Sequence, residues 1–436
     1  MVALLAGTSP TWPHGRANAA SVVEARMSGL PAPAQCLEDS LSPAPSPTGL
    51  IALQLSATIK PAKSVVPAAI LNDPSIAGVQ IYIDWSALEP GHDQFSPTVF
   101  HALDMAFCEA DEHDKFVVLD VLPGFSSPPW ALGITTPPAC ASSPYQTGSS
   151  FAFCFAYSYQ GKAPARALAL PWDQTYLSNW FSFLQVIKSR YADNAEFSMI
   201  AAAGPTSVSE EMSMPNLPGS RTDQCTDNPQ CDEALPPTYK RKPIDGSDLK
   251  MWKALGYTPS LYESAWGQVF TEYAKTLFPR QYISFSLFDG LALPNTSQLS
   301  ATLYDVFALG KEDVGTGRFA FQGDGVAPHE SKNPLTHYNY VRAQDGAIAA
   351  TGFQTPNPTK LNADAPTPPA ALSGALGSGL EAGVNYLEFY DTEVLGPHGQ
   401  ILPAMQRVLA AVAGHWKITP APPKPPRPHC HGTTCT

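Results

Sequence analysis

A chain of 436 residues with 44% hydrophobic side chains can bury a full core, which excludes global disorder and leaves room for one large domain or two ordinary ones. Its 26 basic residues stand against 38 acidic ones, a formal net charge of -12, the wrong sign for a surface that tracks phosphates; nucleic-acid binding is set aside. Only 15% of residues are charged while 45 are proline, so the surface must rest on uncharged polar residues and long loops, as in many exported proteins.

The N-terminal text is short and apolar, and the small residues at 17–21 (ANAAS) have the look of a secretory cleavage site. Residues 1–48 are rich in Ala, Pro and Ser without a sustained period and read as leader and lead-in coil. Beyond them, short β-branched or aromatic runs bounded by Gly and Pro read as strands. The first three are 49–59 (GLIALQLSATI), 77–85 (AGVQIYIDW) and 115–124 (KFVVLDVLPG). Between the second and third, residues 96–113 repeat apolar side chains at three and four, the helical period. A stronger helical pattern covers 173–192, with Asp173 placed to cap it, and leads to the fourth strand run, 197–204 (FSMIAAAG). Helical text at 260–278 precedes the fifth run, 282–290 (YISFSLFDG). Weaker helical segments at 297–309, 334–342 and 369–382 alternate with the last three runs: 317–325 (GRFAFQGDG), 346–355 (GAIAATGFQT) and 383–392 (GVNYLEFYDT). A helix over 402–416 closes the series, and no run of about 18 apolar residues is present, so no membrane span is expected.

Eight strand runs alternating with helices predict an α/β protein, a single-domain (β/α)8 TIM barrel over residues 49–418 with long, disulfide-pinned loops. The rival, an open doubly wound sheet, lacks a Gly-rich phosphate fingerprint after any strand. Residues 419–436 form a Pro-rich tail carrying His429, Cys430, His431 and Cys435, read as a disulfide-closed or crosslinking tip, with a metal site as the alternative. The eight cysteines include close neighbours, Cys140 with Cys154 and Cys225 with Cys231. These are expected to pair in an oxidising, extracytoplasmic compartment, free buried thiols being the alternative. The spacings do not match a zinc ribbon, and neither a metal nor an organic cofactor is expected in the barrel.

In such a barrel the active site lies at the C-terminal ends of the strands, and alternation turns every second residue toward the axis. The polar members of each run are therefore assigned inward: Gln80, Tyr82 and Asp84; Asp120; Ser284 and Ser286; Gln322 and Asp324; Gln354; Glu388 and Tyr390. Two adjacent carboxylates, Glu210 and Glu211, come just after the fourth run, past Gly204 and Pro205. Trp85, Trp130 and Trp172 accompany the mouth, and the flat C–H faces of sugar rings pack on such side chains; a core position is the alternative for each.

The segment YIDWSALEPGHDQFSPTVFHALDMA, with Trp85, Glu89, Pro90, Gly91 and Phe95, resembles the second-strand segment of retaining (β/α)8-barrel glycoside hydrolases. LDVLPGFSSPPWAL, with Pro129 and Trp130, resembles their third strand. The resemblance implies a general acid/base after the fourth strand, at Glu210 or Glu211. Glu211 is preferred, because Met212, Met214 and Pro215 turn the chain back into packed surface; two solvated loop charges are the alternative. It also implies a nucleophilic Glu at the end of the seventh strand, where this sequence has Gln354, which cannot form a glycosyl ester. The second carboxylate is therefore sought at Glu388, in an apolar strand where an unassisted charge is disfavoured, or at Asp324. Substrate contacts are assigned to Trp85, Asp84, Asp120, Trp130, Gln322, Gln354 and Tyr390, with Glu89 a structural residue of its loop. Two functions follow: a secreted glycoside hydrolase acting on a neutral poly- or oligosaccharide, or a catalytically inactive barrel that binds glycan or serves a structural role outside the cell.

Overall fold

The computed structural model describes residues 23–24, 26–37, 43–55, 66–134, 140, 147–155, 166–207, 212, 214–215, 252, 254–287, 299–332, 336–363, 365–416, 430–431 and 434–435. Eight parallel strands close a barrel in sequence order: β1 (Gly49–Leu55), β2 (Ile76–Asp84), β3 (Phe116–Leu122), β4 (Phe197–Ala201), β5 (Tyr282–Leu287), β6 (Phe319–Asp324), β7 (Ala350–Gln354) and β8 (Tyr386–Tyr390), which returns to β1. Seven lie inside the runs marked in the sequence, and β2 begins one residue before its run, at Ile76. The helices match as well: α1 (Pro97–Glu112), α2 (Gln174–Tyr191), α3 (Pro259–Glu272), α4 (Leu299–Val314), α5 (Thr336–Ala343), α6 (Pro368–Glu381) and α7 (Pro403–Ala413).

The helix starts are written locally. Ser96, Thr258 and Thr367 each stand before a proline at the first helical position, and each side-chain oxygen accepts from the backbone N–H three residues on. Asp173 caps α2 through the amide of Tyr176 at 2.9 Å, as its position predicted. These starts lie at the mouth, where the strands end.

The barrel separates two apolar clusters. Outward side chains such as Leu50, Val79, Ile81, Leu119, Phe285, Phe321 and Leu387 pack under the helices. Inward, Ile51, Phe116, Val118, Met199, Ala320, Ala350 and Tyr386 plug the lower half of the barrel. The plug depends on pairing large with absent side chains: a Cβ on Gly352 would stand 2.1 Å from the Tyr386 ring. Above this plug, every inward position in the upper half of β6, β7 and β8 is polar.

Part of the lead-in expected to be coil is packed on the barrel instead. Cys36 is bonded to Cys108 of α1, and Arg190 of α2 donates to the Pro31 carbonyl at 3.0 Å. Arg26 bridges to Glu89 at 3.2 Å and also to Asp93. The same Arg190 forms a buried two-pronged ion pair with Asp104 of α1, to which Tyr191 also donates at 2.9 Å. The cause is charge: a buried arginine requires a carboxylate, and the lead-in carbonyl takes a remaining N–H.

The Cys140–Cys154 bond is present, on a hairpin (Ala152–Phe155 with Arg166–Ala169) that the sequence reading did not anticipate in the loop after β3. Cys225 and Cys231 lie outside the described residues. In the tail, Cys430 stands opposite Cys435 across a two-residue antiparallel ladder. Among the described residues, no helix is long and apolar enough to cross a membrane.

Candidate active site at the barrel mouth

Parallel register places Asp324, Gln354 and Glu388 side by side on β6, β7 and β8, and Tyr82 beside Asp120 on β2 and β3. Asp324, Gln354, Glu388 and Asp120 each share a strand face with a member of the interior plug and so point toward the axis, and Tyr82 stands in register with Asp120. Among the described residues the mouth therefore holds three carboxylates with almost no exposed surface: Glu388 and Asp120 at 0% and Asp324 at 3%. Asp84, Tyr82 and Tyr390 are half-buried at the rim.

Burying a carboxylate without donors is costly, and the sequence supplies donors from neighbouring strands. Asp324 accepts from the Ser286 hydroxyl of β5 and from the Gln322 amide at 2.9 Å. Glu388 accepts from Gln80, whose amide nitrogen, turned toward it, reaches Oε2 at 2.7 Å and Oε1 as well. The Gln354 amide donates to Glu388 at 3.4 Å and to the Tyr82 hydroxyl at 3.1 Å, and its oxygen accepts from Tyr390 at 3.2 Å. Glu388, the first candidate for nucleophile, thus lies in the mouth but beneath its own donors.

Glu210 and Glu211 lie outside the described residues. The chain on either side is fixed to the mouth. The amide of Phe125, just past β3, donates to the Ser207 carbonyl at 2.8 Å, and that of Met212 donates to the Ser286 carbonyl at 3.4 Å. Gly124 makes the first contact possible: its φ is +62°, and a Cβ there would meet the Ser207 oxygen at 2.4 Å. Ser286 thus receives the returning loop on its carbonyl and holds Asp324 with its hydroxyl.

Two aromatic expectations resolve differently. Trp85 is not a platform: it is fully buried behind the wall, between Trp130, Trp180, Tyr176 and Phe183, with its indole N–H on Glu89 at 3.1 Å. The reason is position, since the strand has ended at Asp84 and a short helical turn, Trp85–Leu88, carries the ring outward. Trp130 is half-buried, donates to the Glu89 carbonyl at 3.1 Å and stands edge-on to Trp85 and His92. Glu89 braces this loop, accepting from Trp85, the Asp93 amide and Arg26; burial pushes its carboxyl above the usual range, opposed by these bonds.

A buried carboxyl just past β8 was missed. Glu393, on the turn Asp391–Val394 after β8, has both oxygens 3.1 Å from the Thr355 hydroxyl, and burial raises its pKa to about 8. Strand alternation ends at Tyr390, so no periodicity pointed to it. Among the described residues, no group of three His, Cys, Asp or Glu side chains could hold a metal ion.

Fold and site define a closed parallel (β/α)8 barrel with an acidic, amide-lined mouth. No protein-family profile and no curated protein matches the chain. Among solved structures it is similar to the catalytic domain of β-amylase from Paenibacillus polymyxa, with a TM-score of 0.50 and 9% identity, covering 85% of this chain and 99% of that one. It is also similar to an exo-β-1,4-mannosidase from Opitutaceae bacterium strain TAV5 (TM-score 0.46, 13% identity, 85% and 60% covered). A third is xylanase 10B from Thermotoga petrophila RKU-1 in complex with xylobiose (TM-score 0.42, 10% identity, 84% and 95% covered). The β-amylase likeness establishes the fold as a barrel also used by glycoside hydrolases.

Proposed function

We propose that the protein is a secreted glycoside hydrolase that cleaves a neutral poly- or oligosaccharide at the barrel mouth. The observation that carries this reading is the set of buried carboxylates above an apolar plug, Asp324 and Glu388 held by donors from neighbouring strands, at the strand ends where barrel enzymes do their chemistry. Asp324 is the group best suited to act as nucleophile or base. Two donors orient it, it faces the axis, and Ser286 joins it to the segment that rejoins the chain at Met212. Glu211 or Glu210 would protonate the glycosidic oxygen. A separation of about 5–5.5 Å between acid and base would give retention, and roughly 6.5–9.5 Å inversion. Asp84, Asp120, Gln322, Gln354 and Tyr390 would bond sugar hydroxyls, with Trp130 at the edge. The disulfides Cys36–Cys108 and Cys140–Cys154 support an oxidising compartment.

A specific observation favours a second reading, a barrel that binds glycan without cleaving it. The strand-seven position that the resemblance gives to a nucleophile holds Gln354, and the neighbouring Glu388 is sealed. Release of reducing ends from a panel of polysaccharides, measured beside affinity for the same panel, separates the two. Turnover lost in Glu211→Gln or Glu210→Gln supports hydrolysis. Binding without turnover in the unmodified protein supports the second reading, and neither binding nor turnover refutes both.

A further inference from the structure

We infer that Arg26, in the lead-in, is a positioning residue: it holds the loop after β2 so that Trp130 and His92 stand together as one sugar-binding edge at the rim of the mouth. The inference rests on the carbohydrate reading above and adds His92 as a sugar contact.

The guanidinium of Arg26 is divided between two elements. Nε donates to Asp93 and Nη2 to Glu89 at 3.2 Å, both in the loop after β2. Nη1 donates to the carbonyl and the hydroxyl of Ser182 in α2, at 2.7 and 2.6 Å. The rigid, planar fork lets one side chain make this span, which a lysine could not reproduce. Glu89, with no exposed surface, gathers what Arg26 holds. Its carboxyl accepts from the Trp85 indole at 3.1 Å and from the Asp93 amide at 3.0 Å, and its main-chain carbonyl accepts from the Trp130 indole at 3.1 Å. One residue thus fixes two tryptophans. Arg26 places the opposite charge beside it inside the wall, and is among the groups that oppose the upward push of burial on its carboxyl.

The tip of the loop is closed as tightly. The Gln94 amide donates to the Gly91 carbonyl at 2.9 Å. Asp93 has a φ of +57°, a left-handed backbone uncommon for a residue with a side chain, and is held there by its amide bond to Glu89 and by Arg26. His92 stands at this tip, exposed to solvent, yet its ring is fixed on two sides. Nδ1 lies 3.2 Å from the Asp93 carboxyl, and the ring stands nearly perpendicular to half-buried Trp130, with centroids 4.7 Å apart. Nε2 is left for a ligand. A freely turning surface imidazole would lose rotamer entropy on binding, whereas this one has lost it already in folding. The indole offers an apolar surface to sugar C–H groups while the imidazole bonds a hydroxyl, and a neutral oligosaccharide carries both features on one ring.

The test uses the full chain and two readouts. The first needs no ligand: 1H–15N NMR of the tryptophan indoles, with the Trp130 resonance assigned through Trp130→Phe and that of Trp416, which donates to the Val384 carbonyl, as a distant reference. Arg26→Ala is expected to shift the Trp130 resonance and leave Trp416 in place. Cys36→Ser combined with Cys108→Ser loosens the same lead-in but keeps the guanidinium, and should leave both in place. The second is calorimetric titration of the unmodified protein, Arg26→Ala, His92→Ala and the double variant with xylotetraose, mannotetraose, cellotetraose and maltotetraose. Each single change should weaken the tetraose bound best roughly tenfold, and the double variant should bind within about twofold of either, because Arg26 acts through the edge that His92 completes. Four results overturn the inference and leave the carbohydrate reading intact: an unmoved Trp130 resonance in Arg26→Ala, an equal shift in the cysteine variant, undiminished binding in His92→Ala, or single effects that multiply to about a hundredfold in the double variant. Binding of no tetraose by the unmodified protein overturns the carbohydrate reading and the sugar-binding edge with it. Should Arg26→Ala fail to fold, Arg26→Lys, which keeps the charge but not the fork, takes its place in both readouts and the same results decide.

Discussion

Replacing Glu393 by glutamine should change how stability depends on pH, with a sign that the site dictates. The carboxyl is buried behind β7 and β8, and burial raises its pKa from 4.5 to about 8; the Thr355 hydrogen bond opposes the shift and nearby Asp391 adds to it. The folded state therefore holds this proton more tightly than the unfolded chain does. The stabilisation from the neutral acid is complete below about pH 4.5, falls as pH rises, and is lost once pH passes about 8. At 1.36 kcal/mol per unit of pKa, the ceiling is about 5 kcal/mol, and relaxation of the site brings the expected effect to a few kcal/mol. A glutamine keeps the shape and an acceptor for the Thr355 hydroxyl but has no proton to lose. Urea unfolding of both proteins at pH 5, 6.5, 8 and 9 gives the comparison. The variant should gain on the unmodified protein by about 2 kcal/mol or more between pH 5 and 9. A difference that stays constant within about 0.5 kcal/mol across this range would refute the reasoning.

Other expected outcomes follow from the packing. Gly352→Ala drives a methyl into the Tyr386 ring, which would stand 2.1 Å away, and should destabilise the protein by about 1–3 kcal/mol in thermal or urea unfolding. Asp104→Ala strands the buried guanidinium of Arg190 and should cost about 3–5 kcal/mol, whereas Asp104→Ala combined with Arg190→Met should recover much of it. Changing Cys36 and Cys108 together to serine opens a loop with a sequence separation of 72 and should cost roughly 2–5 kcal/mol; an unchanged urea midpoint would show that the lead-in packing holds without the bond.

The barrel was legible because its buried strands are short β-branched or aromatic runs and because β2, β5, β6 and β8 also carry polar residues at alternate positions. Asp324, Gln354 and Glu388 were placed on the axis by that alternation alone, and register then made them neighbours. The alternation stops where the strand stops. Trp85 stands one residue past β2 and was assigned to the mouth, although the helical turn it begins carries it behind the wall. Glu393 was missed for the same reason, three residues past β8. The packed lead-in was invisible because its contacts, Arg26 with Glu89 and Pro31 with Arg190, join residues more than sixty positions apart and leave no local period. The sealing of Glu388 was also illegible: alternation gives direction, while the donors on its carboxyl come from β2 and β7 and appear only once the barrel is closed.

The most direct test of the proposed chemistry is the turnover of Asp324→Asn on the best substrate from the polysaccharide panel. The substitution keeps the shape beside Ser286 and Gln322 while removing the charge that would attack the sugar or activate water. The expected result is a fall in kcat of about 10²–10⁴ or more, with KM and the thermal midpoint nearly unchanged. Turnover that stays within about threefold of the unmodified protein would contradict the assignment of Asp324 as the reacting carboxylate.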